Sequence, residues 1–133
     1  MEWVDVFALF VVSHLVGDFV LQTDWQAVNK HGGLAKGNNV GRSALLRHGA
    51  SYTLAYVPCL LWLTGDLSWT VLPIAAAIGI PHVLQDDGRL LATYMRRVKG
   101  GDPRTQPTVA LGLDQTLHLV MLLLLAIAAA AAG

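Results

Sequence analysis

Residues 109–132 read VALGLDQTLHLVMLLLLAIAAAAA, and this run decides the fold because it holds no Lys or Arg and only one acidic residue, Asp114. A helix needs about 20 mostly apolar residues to cross the roughly 30 Å of hydrocarbon in a bilayer. The run is long enough for such a helix and too long for a barrel strand, which has about 9–11 residues. Because bilayers admit only helices and closed barrels, residues 109–132 predict a transmembrane helix.

Three further apolar runs occupy approximately residues 3–21, 45–64 and 69–84. Of the 133 residues, 54% are hydrophobic and 14% are charged, whereas a soluble domain carries roughly 25% charged residues. We therefore expect an all-α fold, a bundle of four transmembrane helices that forms a single integral membrane domain over residues 1–133. The first five residues lack a basic region, so we do not expect a removable signal peptide.

The basic residues indicate which way the helices cross the membrane. All nine Lys and Arg residues lie in or beside two connections, namely Lys30, Lys36, Arg42 and Arg47 in the first and Arg89, Arg96, Arg97, Lys99 and Arg104 in the third. The two ends of the chain and the turn at residues 65–68 have none. Since positive charge is retained on the cytoplasmic side, we expect two cytoplasmic connections, with the N-terminus and the C-terminus outside. The zero net charge gives no indication of a nucleic-acid partner.

Ionisable residues recur inside the predicted spans, although an Asp, Lys or Arg at a helix centre costs about 2.5–3.5 kcal/mol on insertion scales. Residues four apart share one face of a helix, and three pairs have this spacing: His14 with Asp18, His82 with Asp86, and Asp114 with His118. A further histidine, His48, lies near the start of the second span. Asp87 is rotated about 100° from Asp86 and should point elsewhere.

All of these groups except Asp87 are expected at one depth and on one site. A helix rises about 1.5 Å per residue, so each group lies about 5–14 Å in from the cytoplasmic end of its span. Imidazoles and carboxylates are ligands of Zn²⁺, Mn²⁺ and Fe ions, and facing helices of a bundle can build a metal centre. The predicted ligands are His14, Asp18, His48, His82, Asp86, Asp114 and His118.

Seven side chains are more than one tetrahedral ion needs, so we expect one or two divalent transition-metal ions, a pair lying about 3.5–4 Å apart. Zinc is the first candidate, with manganese and iron as alternatives. Three carboxylates against two divalent ions leave one positive charge, which a bridging hydroxide cancels. The predicted catalytic groups are the carboxylates Asp18, Asp86 and Asp114.

Three other interpretations of the polar groups stay open: an inert network of ion pairs and hydrogen bonds, a proton or ion pathway, and haem held between two histidines. Three glutamine amides lie near the predicted ligands and could orient them through hydrogen bonds, namely Gln22, Gln85 and Gln115. His31 lies beside two glycines in the first connection and is expected to be solvated.

The motif HLVGDFVLQTDW at residues 14–25 resembles the domain-of-unknown-function 3307 family (DUF3307) of small polytopic bacterial membrane proteins. Further positions are similar to recurrent positions of that family, namely Lys30, His48, His82 with Asp86, and Asp114-Gln115 with His118. The resemblance covers nearly the whole chain and implies a multi-pass protein of the bacterial cytoplasmic (inner) membrane. The chain is also loosely similar to membrane-bound metal-dependent hydrolases, and that similarity implies hydrolysis by analogy.

The leading functional hypothesis is a metal-dependent hydrolase that acts on a lipid or lipid-linked substrate at the cytoplasmic leaflet. Four cations near the expected opening could hold an anionic head group such as a lipid phosphate, namely Lys30, Arg42, Arg47 and Arg89. Expected partners are membrane lipids, and a homo-oligomer is left open. The alternatives are a small transporter or proton/metal pathway and a structural subunit of a membrane complex. A pathway needs ionisable groups towards the outer side, where only Asp5 and Asp66 are available.

Overall fold

The computed structural model describes residues 2–132, which form helices and connections and contain no strand. The helices are α1 (Trp3–Leu15), α2 (Asp24–Asn29), α3 (Asn39–Ala55), α4 (Val57–Leu67), α5 (Val71–Asp86), α6 (Arg89–Tyr94) and α7 (Pro107–Ala132). A π-helical turn extends α1 (Val16–Val20), a second one extends α6 (Met95–Lys99), and a 3₁₀ turn precedes α5 (Ser68–Thr70). The all-α prediction is confirmed for these residues.

The first and last predicted spans coincide with continuous helical segments that pack along each other. Helix α1 and its π-helical turn cover Trp3–Val20, which matches the predicted run of residues 3–21 within one residue. Helix α7 begins at Pro107, two residues before the apolar run. Proline suits the first helical position because its fixed φ is already helical and that position needs no backbone N–H.

The second predicted span, residues 45–64, is wrong as a single helix because the helix is interrupted at Tyr56. Pro58 has no N–H, so it cannot donate to the carbonyl four residues earlier, and α4 restarts with Pro58 in its first turn. The helical segment also begins earlier than predicted, at Asn39, where the Asn38 side chain accepts a hydrogen bond from Gly41 N at 2.9 Å.

The chain reverses direction after α4, at the 3₁₀ turn where Ser68 has a positive φ of 49°. Helix α5 then returns antiparallel along α3, and both helices use glycine where they approach closely. A Cβ atom on Gly49 would lie 2.5 Å from Val83 Cγ2, and one on Gly79 would lie 2.8 Å from Thr53 Oγ1. The third predicted span, residues 69–84, corresponds to α5 with a shift of two residues.

Three helical stretches in residues 2–132 are long and apolar enough to cross a membrane, namely Trp3–Val20, Val57–Asp86 and Pro107–Ala132. The middle stretch includes the reversal at Ser68. The length and composition of the helices therefore indicate a membrane-associated protein. The count of four crossings and their orientation stay predictions.

Two different interiors fill the two ends of the bundle. At one end the buried side chains are apolar and include Phe10, Leu63 and Leu122, all with no exposed surface. At the other end the buried side chains are histidines and aspartates. The boundary between the two interiors lies near Tyr56, whose ring packs edge-on against Phe10.

A strap formed by α2 and the loop after it, residues 24–38, closes over the polar end. Thr23 caps α2, because its hydroxyl accepts from Gln26 N while the Gln26 side chain accepts from Thr23 N. The loop is held to the end of α5 by Gly32 N, which donates to Asp87 O at 2.8 Å, and by Leu34 N, which donates to Asp87 Oδ1 at 2.7 Å. Asp87 therefore faces the strap, in agreement with its predicted rotation away from Asp86.

Candidate metal centre

Four histidine rings from four helices meet in the polar interior, namely His14, His48, His82 and His118, and none has exposed surface. The ring centroids of His82 and His118 are 4.7 Å apart, those of His48 and His82 are 5.1 Å apart, and those of His14 and His118 are 5.3 Å apart. The structure thus brings together the predicted histidines. By contrast, His31 is exposed on the strap, as expected.

A first group of possible ligands, which we name the tetrad, consists of Asp18, His48, His82 and Asp86, all buried. Nε2 of His48 lies 3.0 Å from Nε2 of His82 and 2.9 Å from Asp86 Oδ2. Nε2 of His82 lies 3.3 Å from the same Asp86 oxygen. Asp18 Oδ1 lies 3.3 Å from His48 Nε2 and 3.5 Å from His82 Nε2. Four ligand atoms on three helical segments therefore surround one point.

Three of these separations, at 3.3–3.5 Å, match a tetrahedral metal ion, and the two shorter ones, at 2.9 and 3.0 Å, both involve His48 Nε2. With zinc–nitrogen and zinc–oxygen bonds of about 2.0–2.2 Å, two ligands of a tetrahedral site lie about 3.3–3.6 Å apart. The remaining pair, between the two carboxylates, also lies within 4.8 Å. Asp18 Oδ1 is buried and has no hydrogen-bond partner among residues 2–132. Since a buried carboxylate oxygen without a partner carries a large desolvation cost, this oxygen points to a cation.

A second group, Asp86, Asp114 and His118, shares Asp86 with the tetrad. The Nδ1–H of His118 donates to the Asp114 carbonyl at 2.8 Å, because a carbonyl can only accept. In the neutral ring Nε2 then carries the lone pair, and this atom is buried with no partner in the described chain. It lies 3.6 Å from Asp86 Oδ1, so two acceptors face each other and a cation between them would satisfy both.

Lys30 belongs to the interior of the site, which corrects its predicted place at the opening. Its side chain is 11% exposed, and Nζ lies 2.6 Å from Asp86 Oδ2. The strap carries this lysine inward, where its ammonium and the carboxylate compensate each other. Three carboxylates and one ammonium leave two negative charges, which a single divalent ion balances.

His14 lies in the cluster but outside both ligand groups. Its Nδ1 is 3.1 Å from the Tyr52 hydroxyl and its Nε2 is 3.0 Å from Gln115 Oε1. Both ring nitrogens are therefore engaged by neutral groups, and the closest Asp18 oxygen lies 3.7 Å from Nδ1.

The sequence interpretation missed two tyrosines that line the cluster. The Tyr52 ring stacks on His82 with centroids 3.3 Å apart, and its hydroxyl lies 2.7 Å from that of Tyr56. The signal was present in the sequence, because Tyr52 and Tyr56 follow His48 at steps of four residues and so continue the same helix face. Gln115, one of the three predicted amides, does contact a carboxylate, with Nε2 3.4 Å from Asp18 Oδ2.

A cavity of about 890 Å³ leads from the cluster to the surface. Its inner end is lined by the three predicted catalytic carboxylates, and its outer end by the arginines Arg89, Arg96 and Arg104. Of these arginines only Arg89 was predicted at the opening. Arg42 and Arg47 do not line the cavity. The Arg47 guanidinium instead lies over the ring of Trp25, 5.8 Å from its centroid.

Comparison with known proteins identifies a family to which the chain is similar. The family model described as protein of unknown function (DUF3307) matches residues 6–132, which confirms the resemblance carried by residues 14–25. No curated protein and no solved structure matches the chain.

Proposed function

The chain belongs to the DUF3307 family of proteins of unknown function, and we propose that it is a membrane-embedded metal-dependent hydrolase acting on a lipid or lipid-linked substrate. The observation that carries the proposal is the tetrad, in which four buried ligand atoms surround one point at separations that suit a tetrahedral ion. Among them is an Asp18 oxygen that makes no hydrogen bond within the described chain.

One divalent ion is the occupancy that the charges favour, because Lys30 already neutralises one of the three carboxylates. The tetrad offers two imidazoles and two carboxylates and no thiolate. This ligand set suits zinc, with manganese or iron as alternatives. A second ion would be held by Asp86, Asp114 and His118, a group that shares Asp86 with the tetrad.

The carboxylates in and beside the tetrad would have different roles in the proposed hydrolysis. A divalent ion held by the tetrad would lower the pKa of a coordinated water from 15.7 to about 7 and would so supply a nucleophile at neutral pH. Asp18 and Asp86 would serve as ligands, since their side chains are 6% and 1% exposed. The Asp114 side chain is 22% exposed and also lines the cavity, so Asp114 can accept a proton and pass it to solvent.

The cavity supports a substrate with an anionic head and an apolar body. Arg89 and Arg104 lie at its outer end, while Phe19, Leu91 and Leu111 line its walls. Arginine binds phosphate and carboxylate groups through paired N–H donors. A phosphate-bearing or carboxylate-bearing lipid thus fits both surfaces, and the exposed faces of Phe19 and Leu111 would lie in the acyl region of the bilayer.

The proposal includes four membrane crossings, made by α1, α3 with α4, α5, and α7. The antiparallel course of α3 and α5 supports two crossings in the middle of the chain. The nine basic residues in the first and third connections support a cytoplasmic position for the cavity mouth. We place the protein in the bacterial cytoplasmic (inner) membrane, with both termini outside.

Elemental analysis of protein purified in detergent without chelator tests the metal centre. We expect about one equivalent of a transition metal in the wild-type protein and in Asp87→Asn, and little in Asp86→Asn. Asp87 is a matched control because it neighbours Asp86 but faces the strap, and an asparagine oxygen can still accept from Leu34 N. Metal-free wild-type protein would refute the proposal, as would equal metal in both variants.

Hydrolysis is tested separately on mixed micelles that contain a lipid phosphomonoester, a lipid phosphodiester or a carboxylic ester with the same acyl chains. Metal-loaded wild-type protein should cleave one of these classes, and Asp114→Asn should keep the metal but lose most turnover. General acid–base groups typically contribute about 10²–10⁴-fold to rate. If metal-loaded wild-type protein turned over none of the three lipid classes faster than Asp114→Asn does, the hydrolase would be refuted, but the metal centre would not.

A further inference from the structure

A series of buried and partly buried hydrogen bonds runs from the apolar interior to the tetrad and has no part in the proposed chemistry. The Tyr56 and Tyr52 hydroxyls are 2.7 Å apart, and the Tyr52 hydroxyl is 3.1 Å from His14 Nδ1. His14 Nε2 is 3.0 Å from Gln115 Oε1, and Gln115 Nε2 is 3.4 Å from Asp18 Oδ2. Tyr52, Tyr56 and His14 have no exposed surface, so their polar atoms depend on one another for hydrogen bonds.

The orientation of the Gln115 amide is fixed by the carboxylates beside it. Its Nε2 lies 3.4 Å from both Asp18 Oδ2 and Asp114 Oδ2. Ionised carboxylates only accept hydrogen bonds, so the amide nitrogen must face them. A reversed amide would bring its oxygen against two carboxylate oxygens and leave all three without a donor. Oε1 therefore faces His14.

The amide orientation then determines, for a neutral His14 ring, where the protons of His14, Tyr52 and Tyr56 lie in this series of hydrogen bonds. Because Gln115 Oε1 can only accept, His14 Nε2 must carry the proton. In the neutral ring His14 Nδ1 is then an acceptor, so the Tyr52 hydroxyl donates to it. The Tyr52 oxygen in turn accepts from the Tyr56 hydroxyl. With a neutral His14 ring, Tyr56, Tyr52, His14 and Gln115 each then donate to one acceptor in the series.

We propose that His14 is a positioning residue, held in its Nε2–H tautomer, that orients Gln115 and through it Asp18. Gln115 holds Asp18 Oδ2, which leaves Asp18 Oδ1 directed at His48 and His82. This role replaces metal ligation by His14, because Nδ1 has its lone pair committed to Tyr52 and Nε2 has none. The effect on metal affinity rests on the proposed function, whereas the tautomer does not.

The tautomer is tested by nuclear magnetic resonance of metal-free full-length protein labelled with ¹⁵N in its histidine rings. The His14 signals are assigned by their loss in His14→Gln. We expect a protonated Nε2 and an unprotonated Nδ1, with the Nδ1 resonance shifting in Tyr52→Phe because its donor is gone. A protonated Nδ1, or a Nδ1 resonance that does not shift in Tyr52→Phe, would overturn the inference.

The positioning role is tested by zinc affinity, measured by competition with a chromophoric chelator for two amide variants. A glutamine at position 14 can place its amide near the imidazole Nε2 and still donate to Gln115, whereas an asparagine reaches only the Nδ1 region. We expect His14→Gln to bind zinc like wild type and His14→Asn to bind about 10–100-fold more weakly, as is usual when a residue supporting a ligand is lost.

Two results would contradict this role. His14→Gln losing as much affinity as the ligand variant His48→Gln would make His14 a ligand, and His14→Asn binding like wild type would make it dispensable. A wild-type protein that takes up no zinc would refute the metal function, and the ring tautomer would then decide the inference alone.

Discussion

Replacing Lys30 with methionine tests whether a buried ammonium compensates the metal centre. Lys30 Nζ lies 2.6 Å from Asp86 Oδ2, and the two side chains are 11% and 1% exposed. Removing one partner of a buried ion pair leaves an uncompensated charge and costs about 3–5 kcal/mol. At about 1.4 kcal/mol per factor of ten, Lys30→Met should raise the unfolding equilibrium constant of metal-free protein by roughly two to three and a half powers of ten.

The assay is equilibrium unfolding of chelator-treated protein in detergent micelles. Lys36→Met is the matched control, since Lys36 is an exposed lysine of the same strap, and it should stay within about 0.5 kcal/mol of wild type. The double variant Lys30→Met/Asp86→Asn should recover most of the loss because both partners of this ion pair are then removed together. Zinc should stabilise Lys30→Met more than wild type. A metal-free Lys30→Met protein as stable as Lys36→Met would refute the reasoning.

Other predictions concern packing, substrate binding and metal removal. Gly17→Ala should lose about 1–3 kcal/mol of stability by overpacking, because its Cβ would lie 2.6 Å from Tyr52 Cδ2. Gly112 has open space around it, so Gly112→Ala should gain up to about 1 kcal/mol of stability. Both changes are measured by thermal or detergent unfolding. Arg104→Gln, at the cavity mouth, should raise KM for an anionic lipid about tenfold through loss of a charged hydrogen bond, while Arg97→Gln, away from the cavity, should leave KM unchanged. Chelation should lower the melting temperature, and zinc at 100 times its Kd should restore about 2.7 kcal/mol; identical melting curves would contradict a bound metal.

The apolar runs and the four-residue spacings could be interpreted without coordinates because both depend on local geometry. A run of apolar residues has few options in a bilayer, and residues four apart share a helix face in any helix. Hence the ends of the first and last helical segments, and the faces of His82 with Asp86, were within reach of the sequence. The break at Tyr56 was also within reach, since Pro58 lies inside the second run and cannot donate a backbone hydrogen bond.

The position of Lys30 depended instead on tertiary contacts. A lysine in a polar connection is ordinarily exposed, and nothing near it in the sequence indicates otherwise. Its burial follows from hydrogen bonds between the strap and Asp87, which lies more than fifty residues away. The partners of His14 are equally distant, at Tyr52 and Gln115. Spacing alone paired His14 with Asp18 and could not reveal that both ring nitrogens are used elsewhere.

The division of the bundle into two interiors favours chemistry over passage through the membrane. A proton or ion pathway needs polar groups or water along the whole crossing, yet beyond Tyr56 the core contains Phe10, Leu63 and Leu122 with no exposed surface. The acidic residues at that end, which include Asp5 and Asp66, are exposed and lie outside this core. The cavity reaches the tetrad from the basic end. The ion that we propose would be reached from one side only, with Asp114 beside it, and this arrangement suits the proposed hydrolysis of a molecule that enters and leaves by the same opening.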